Sequence, residues 1–218
     1  MSIATEISRI KSAKSAIAAA IAGKGVTVPD GTMLDGMAAL IAGIEAGGGD
    51  TSVEDGLIER IITEYSNSRV TKIGNYVFNQ YDTLTKADFP AATSIGSYAF
   101  NYCSKLKTAN FPVATSIGAS AFYACSTLTK ADFPAVTSIG AYAFYYCSNL
   151  NALILRSETM CKLSNKNAFT YTPIKSGTGY IYVPSALLAS YQAATNWSTF
   201  SAQFRAIEDY PDICGGNV

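Results

Sequence analysis

The sequence of 218 residues predicts an α+β solenoid, in which 22-residue coils stack and share one parallel sheet. Three observations predict this class: an internal 22-residue repeat, a helical segment with a heptad seam before it, and a tail with the single tryptophan after it. We therefore expect an N-terminal helical, coiled-coil segment for attachment and oligomerisation (1–49), an N-terminal cap (50–69), four repeats (70–157), and a degenerate repeat with a helical C-terminal cap (158–218).

The four repeats align without gaps, as coil 1 (70–91), coil 2 (92–113), coil 3 (114–135) and coil 4 (136–157). A coil of this length cannot bury its apolar side chains alone, so neighbouring coils must stack. In coils 1 to 3, Leu-x-x-Ala-x-Phe predicts a strand, and Ile-Gly-x-x-Ala-Phe predicts a tight helical turn packed against it. The apolar columns are Ile73, Ile95, Ile117 and Ile139; Phe78, Phe100, Phe122 and Phe144; Leu84, Leu106, Leu128 and Leu150; and Phe89, Phe111, Phe133 and Leu155.

Residues 3–22 predict a helix whose apolar positions are spaced alternately by 4 and 3 residues. Isoleucine at both seam positions of a coiled coil favours three or four helices, so we expect a homo-oligomer, with a trimer favoured. The alternative is that this face packs on a second helix of the same chain, at about residues 33–46. The seam consists of Ile3, Ile7, Ile10, Lys14, Ile17 and Ile21.

The composition argues against several functional classes. Sixteen basic and sixteen acidic residues give no net charge, so binding to nucleic acid is not expected. No apolar run is long enough to insert into a membrane. The chain has no histidine, which removes the commonest general base and the commonest zinc ligand. We therefore expect no enzyme, no catalytic residue, no metal and no cofactor.

The N-terminus loosely imitates a signal peptide, because basic residues precede the apolar run 16–23. That run is alanine-rich and only weakly hydrophobic, and Glu6 lies among the basic residues. We therefore expect no signal peptide.

Two polar columns have both a chemical and a structural interpretation. Cys103, Cys125 and Cys147 align on neighbouring coils; they could approach disulfide distance, but small buried thiols are expected. Asp88 and Asp132 lie two coils apart, about 10 Å by the usual strand spacing. This resembles an inverting glycosidase pair, whereas a charge-balanced sheet face, with each Asp beside its own Lys, is the expected arrangement.

Tyrosine is the most informative polar residue, with 14 in the chain. Most repeat tyrosines flank the buried phenylalanine column, so they should point outward and form a surface of large, rigid, uncharged contacts. The alternative is that their rings lie across the coils and only shield the core. The predicted ligand-binding residues are Tyr76, Tyr98, Tyr102, Tyr123, Tyr142, Tyr145, Tyr146 and Asn101.

The motif Ile-Gly-x-x-Ala-Phe-x-x-Cys-x-x-Leu, at residues 95–106, 117–128 and 139–150, resembles the BspA-like leucine-rich repeats. This resemblance covers about residues 60–184 and implies a binding scaffold. The segment from 180–184 to 196–198 resembles the closing part of such repeats in bacteriophage and prophage tail proteins. Residues 24–26 and 34–37 are similar to the N-terminal helical segment of phage tail fibres.

The resemblance implies a receptor-binding component of a phage or prophage tail, made in the bacterial cytoplasm and assembled into the virion tail. Its partners would be a glycan or protein of the host-cell surface, and other tail proteins through the N-terminal helices. A structural spacer or assembly protein of the tail fibre is the alternative. A polysaccharide depolymerase that uses Asp88 and Asp132, or an adhesin on the bacterial cell surface, is further from the expectation.

Overall fold

The computed structural model of this protein describes residues 63–215. The predicted seam, residues 3–21, lies outside this range. Short parallel strands recur once or twice in each coil. They are β1 (Glu64–Ser66), β2 (Lys72–Ile73), β3 (Lys86–Asp88), β4 (Ser94–Ile95), β5 (Thr108–Asn110), β6 (Ser116–Ile117), β7 (Lys130–Phe133), β8 (Ser138–Ile139), β9 (Ala152–Leu155), β10 (Lys162–Leu163), β11 (Tyr180–Val183) and β12 (Phe204–Ala206).

The strands form two rows of parallel sheet, whereas the sequence predicted one sheet. The row with the predicted strands is split into two sheets, in the orders β1-β3-β5 and β7-β9-β11-β12. The second row is one five-stranded sheet in the order β10-β8-β6-β4-β2. Equivalent residues of successive coils face each other in both rows, as Ile95 faces Ile117.

The prediction of a tight helical turn after each isoleucine is wrong, because hydrogen bonds between coils alternate there with single turns, such as the one from the Asn101 N–H to the Tyr98 carbonyl at 3.2 Å. The Gly96 N–H donates to the Ile73 carbonyl of the preceding coil at 2.8 Å. The Tyr98 N–H donates to the Ala119 carbonyl of the next coil at 2.9 Å. A helix would instead join each N–H to a carbonyl four residues earlier. The isoleucines therefore lie in short strands, and an irregular turn follows each strand.

The predicted apolar columns form the core between the two rows. Phe78, Phe100, Phe122, Phe144 and Phe169 stack face to face, with ring centroids 5.1 to 5.5 Å apart and planes within 7° of parallel. All five rings are fully buried. The predicted stacking of coils in register is thus confirmed over the described part of the chain.

Glycine after each isoleucine allows the coils to approach closely. A Cβ atom added at Gly118 would lie 2.5 Å from the Ser97 nitrogen and 2.6 Å from the Gly96 carbonyl carbon. A Cβ atom at Gly140 would meet the preceding coil at the same two distances, and one at Gly96 would meet it at 2.6 to 2.7 Å. No other residue type fits at this step without moving the coils apart.

The C-terminal part packs on the last repeat through several short helices. They are the 3-10 helices Lys166–Phe169, Ser185–Leu187, Trp197–Gln203 and Ile207–Asp209, and the α-helices Pro173–Ser176, Leu188–Ala193 and Pro211–Cys214. Trp197 lies 5.9 Å from Phe169 at the end of the phenylalanine column, and its indole N–H donates to the Cys161 carbonyl.

The sequence predicted two short helices over residues 185–207, but this stretch ends in strand β12. Phe204 and Ala206 are buried and Arg205 between them is half-buried, which is the alternation of a strand. The strand pairs with β11 in parallel.

Candidate functional site

The predicted binding residues all lie on the turns that follow the second row of strands. Tyr76, Tyr102, Tyr142 and Tyr146 are 40 to 50% exposed. The remaining predicted residues, Tyr98, Tyr123, Tyr145 and Asn101, are half-buried. The side-chain amide of Asn101 donates to the Asn79 oxygen of the preceding coil at 2.7 Å. We call these residues, together with Tyr171, the tyrosine surface.

The structure divides this surface into a pair and a cluster. Tyr76 and Tyr98 stack face to face, with ring centroids 4.8 Å apart and planes 3° from parallel. The other six rings form one connected group, the tyrosine cluster. Its members are Tyr102, Tyr123, Tyr142, Tyr145, Tyr146 and Tyr171.

Within the tyrosine cluster, stacked and edge-on contacts alternate. Tyr146 stacks on Tyr171 at 4.3 Å, and Tyr123 stacks on Tyr145 at 5.1 Å. Tyr145 meets Tyr146 edge to face, at 4.9 Å and 79°. Because the stacked rings hold one another, they present a rigid surface that loses little entropy on binding. Tyr142 lies at the edge of the cluster, with one edge-on contact among the described residues.

Tyr171 is the member of the cluster that the sequence analysis missed. It is 56% exposed and completes the stack on Tyr146. Ala168-Phe169-x-Tyr171 repeats the pattern Ala143-Phe144-x-Tyr146, but 25 residues later instead of 22. Because three residues are added here, the 22-residue alignment does not place Tyr171 in the column of Tyr146.

Six tyrosines of this surface, five of them exposed and one half-buried, have an unfavourable backbone conformation. Tyr76, Tyr98 and Tyr142 have φ angles of 63°, 58° and 58°, and Tyr102, Tyr146 and Tyr171 have φ of 59°, 60° and 60°. The left-handed region costs a residue with a Cβ atom about 1–2 kcal/mol, and glycine or asparagine occupies it more readily. Local backbone preference therefore does not explain tyrosine at these positions.

Three phenols of the tyrosine surface have a raised pKa. Desolvation by the surrounding side chains, and then the proximity of Tyr171, raises the pKa of both Tyr145 and Tyr146. Desolvation, and then Tyr102, raises the pKa of Tyr123. These three phenols therefore act as neutral hydrogen-bond donors and acceptors.

The two aspartates of the depolymerase hypothesis lie in separate sheets, on β3 and β7. Asp132 forms a two-point ion pair with Arg156, at 2.8 and 3.0 Å. Asp88 accepts hydrogen bonds from Ser66 at 3.2 Å and from Asn110 at 2.7 Å. The charge-balanced sheet face that the sequence predicted is present at Asp132, but the ion-pair partner of this carboxylate is Arg156 of the next coil. Both carboxylates serve to join coils.

The cysteine column is buried and reduced. The thiols of Cys103, Cys125 and Cys147 donate to the carbonyls of Phe78, Phe100 and Phe122, at 3.0 to 3.1 Å. Burial raises the pKa of Cys103 to about 12. The expected buried thiols are thus present, each with a backbone partner in a preceding coil.

Residues 63–215 contain no group of three or more cysteine, aspartate or glutamate side chains placed to hold a metal ion. They also contain no helix of the length and apolar character that crossing a membrane requires.

Comparison with known proteins identifies the repeats. The family model of the BspA type leucine-rich repeat region matches residues 71–187 in six copies. No curated protein sequence matches the chain.

Two solved structures are similar to the chain. One is a leucine-rich repeat protein of T. pallidum, with 24% identity over 53% of this chain and 52% of the other, and a TM-score of 0.46. The second is a leucine-rich repeat protein of Bacteroides ovatus, with 18% identity over 62% of this chain and 47% of the other, and a TM-score of 0.37. The chain thus spans about half the length of each.

Proposed function

Because the chain belongs to the BspA-type leucine-rich repeat family, we propose that it is a non-enzymatic binding module and that the tyrosine surface contacts its ligand. The observation that carries this proposal is the position of tyrosines at left-handed backbone sites, where they cost stability and remain exposed. Strain that a fold retains at exposed residues is typical of a functional surface.

The chemistry of the surface supports binding to an uncharged ligand. Phenols combine a flat apolar face with a hydrogen-bonding hydroxyl, and they lose little conformational freedom on contact. Asn101 belongs to the same surface and pairs with Asn79, so that amide groups accompany the rings. Affinity for such a ligand should change little with salt, because no ion pair contributes to it.

We further propose that the module is a receptor-binding component of a phage or prophage tail, and that it contacts a glycan or protein of the host-cell surface. The resemblance of residues 24–26 and 34–37, and of the segment from 180–184 to 196–198, to parts of phage tail proteins supports this role. The heptad seam, residues 3–21, would join three copies and attach them to other tail proteins.

A structural spacer or assembly role in a tail fibre is the second candidate. It is favoured by the contacts between the tyrosines, since rings that pack on one another also shield the core. The outermost rings, Tyr102 and Tyr171, distinguish the two candidates. A bound ligand would touch these rings, whereas a spacer would not need them.

Cell binding by the full chain tests the proposal. Tyr102→Asn and Tyr171→Asn remove the outer rings, and asparagine tolerates the left-handed backbone. Thr108→Ala and Lys86→Ala, on exposed strand positions of the other row, are the matched controls. We expect the tyrosine variants alone to lose binding to host cells, with unchanged circular dichroism; equal binding by all variants would establish the spacer role.

The mass of the assembled particle in solution tests the oligomer. The full chain and a chain that starts at Thr51 are compared. We expect three copies for the full chain and one for the shorter chain, and a single-copy mass for the full chain would exclude the coiled coil.

A further inference from the structure

The tyrosine surface has one interruption, at Ser120 in coil 3. Ser120 occupies the column position of Tyr76, Tyr98 and Tyr142, and it shares their left-handed backbone, with φ of 54°. Tyr98 and Tyr142 therefore stand two coil steps apart, about 10 Å, with a small side chain between them. Within residues 63–215, the one ring contact of Tyr98 is with Tyr76, on the side away from Ser120.

In the neighbouring column, a ring of the protein itself fills the corresponding interruption. Ala124 takes the place of a tyrosine between Tyr102 and Tyr146 in the same coil. The ring of Tyr123 bridges that gap, 5.4 Å from Tyr102 and 6.1 Å from Tyr146. In the described part of the chain, no ring bridges Tyr98 and Tyr142 in this way.

The hydroxyl of Ser120 is the second feature of this site. The residue is 5% exposed, and its side chain has no hydrogen-bond partner among residues 63–215. A buried hydroxyl without a partner is unfavourable, and most such groups in proteins are paired. The Thr172 hydroxyl, the other buried polar side chain of the described residues, does have a partner, the Phe169 carbonyl at 2.6 Å.

We propose that the interruption at Ser120 is a subsite for one neutral pyranose ring of a glycan, held between Tyr98 and Tyr142. This inference rests on the proposed function and names the ligand class. The C–H faces of the sugar would contact the two phenol rings, and a hydroxyl on its rim would pair with Ser120.

The Ser120 hydroxyl favours a sugar over an aromatic side chain of a protein partner. The spacing admits either kind of ring, because a step of about 5 Å is also the one at which Tyr76 stacks on Tyr98, at 4.8 Å. The polar rim of a sugar satisfies Ser120, whereas a phenyl ring would not. The walls carry no charge, which fits an uncharged sugar.

Access to Ser120 requires the Tyr142 ring to turn outward. Tyr142 is 40% exposed, and its one ring contact among the described residues is edge-on, with Tyr145 at 5.5 Å. Side-chain rotations of this kind are common on binding. The sugar would thus enter edge first and displace the Tyr142 ring.

The experiment titrates the full chain with cellohexaose, chitohexaose and mannan oligosaccharides by isothermal titration calorimetry, up to millimolar concentration. Ser120→Tyr restores the residue that three of the four coils have at this position, so it should fold and fill the gap. Ser120→Ala removes the hydroxyl alone. A tyrosine-containing peptide is titrated in parallel as the protein-type ligand.

We expect one of the neutral oligosaccharides to bind, Ser120→Ala to weaken it about tenfold, and Ser120→Tyr to abolish binding. Unchanged affinity for Ser120→Tyr would overturn the subsite. Binding of no oligosaccharide, or of the peptide alone, would also overturn it. If host-cell binding is still lost with Tyr102→Asn and Tyr171→Asn, the proposed function stands although the sugar subsite fails.

Discussion

Replacing Tyr142 by asparagine tests whether the exposed tyrosines serve stability or binding. Tyr142 stands at a left-handed backbone position, and its one ring contact within residues 63–215 is edge-on with Tyr145 at 5.5 Å. The change should recover much of the backbone strain of about 1–2 kcal/mol. It should also lose the ring pair, about 0.5–1.5 kcal/mol, and some apolar burial. We therefore expect the free energy of unfolding to change by less than about 1 kcal/mol.

The assay is equilibrium unfolding in guanidinium chloride, followed by circular dichroism, with the midpoint compared at unchanged slope. Phe144→Ala, two residues further along the same turn, is the control. That ring is fully buried in the phenylalanine column, so its loss should cost about 3–5 kcal/mol. A loss above about 2 kcal/mol for Tyr142→Asn would show that the ring supports the core and would refute our reasoning.

Three further predictions concern the packing of the coils. Gly118→Ala should destabilise the protein by about 1–3 kcal/mol, measured by thermal unfolding, because its Cβ would lie 2.5 Å from the Ser97 nitrogen; an unchanged melting temperature would mean that the coils can separate freely. Cys103, whose pKa is raised to about 12 by burial, should react with a thiol reagent only in denaturant, and rapid reaction of the native protein would contradict its burial. The pKa of Tyr191 is raised by burial to about 12, so its contribution to stability is complete below pH about 10 and is lost as the pH rises towards about 12. Tyrosinate absorbance and circular dichroism, recorded together in an alkaline titration, should show this ionisation accompanying unfolding, whereas titration of every tyrosine near its ordinary pKa would count against it.

Much of the fold could be predicted because a buried column needs the same residue type at the same place in each coil. Phe100 and Phe122 occupy equivalent sites, and their stacking at 5.3 Å followed from the 22-residue period. The second row of strands could not be predicted in the same way. Each of its strands has two residues, such as Ser94–Ile95, which is too short for an alternating pattern to be visible.

The tyrosine surface was predicted from its columns, but its internal geometry was not. Sequence spacing places Tyr123 beside Asn101, whereas in the structure its ring turns to fill the gap above Ala124. The left-handed backbone was hidden as well, because glycine or asparagine, the usual signals, are absent from those positions. The burial of Ser120 depends on its neighbours in other coils, which no local pattern encodes.

The nearly constant step of the phenylalanine column has a genetic consequence. Each ring from Phe78 to Phe169 stacks on the next one with nearly the same distance and the same parallel orientation. Recombination between the DNA segments for two coils would therefore join surfaces that already match. Arrays of this kind can gain or lose whole units from one generation to the next, and the extent of the displayed face would vary with them.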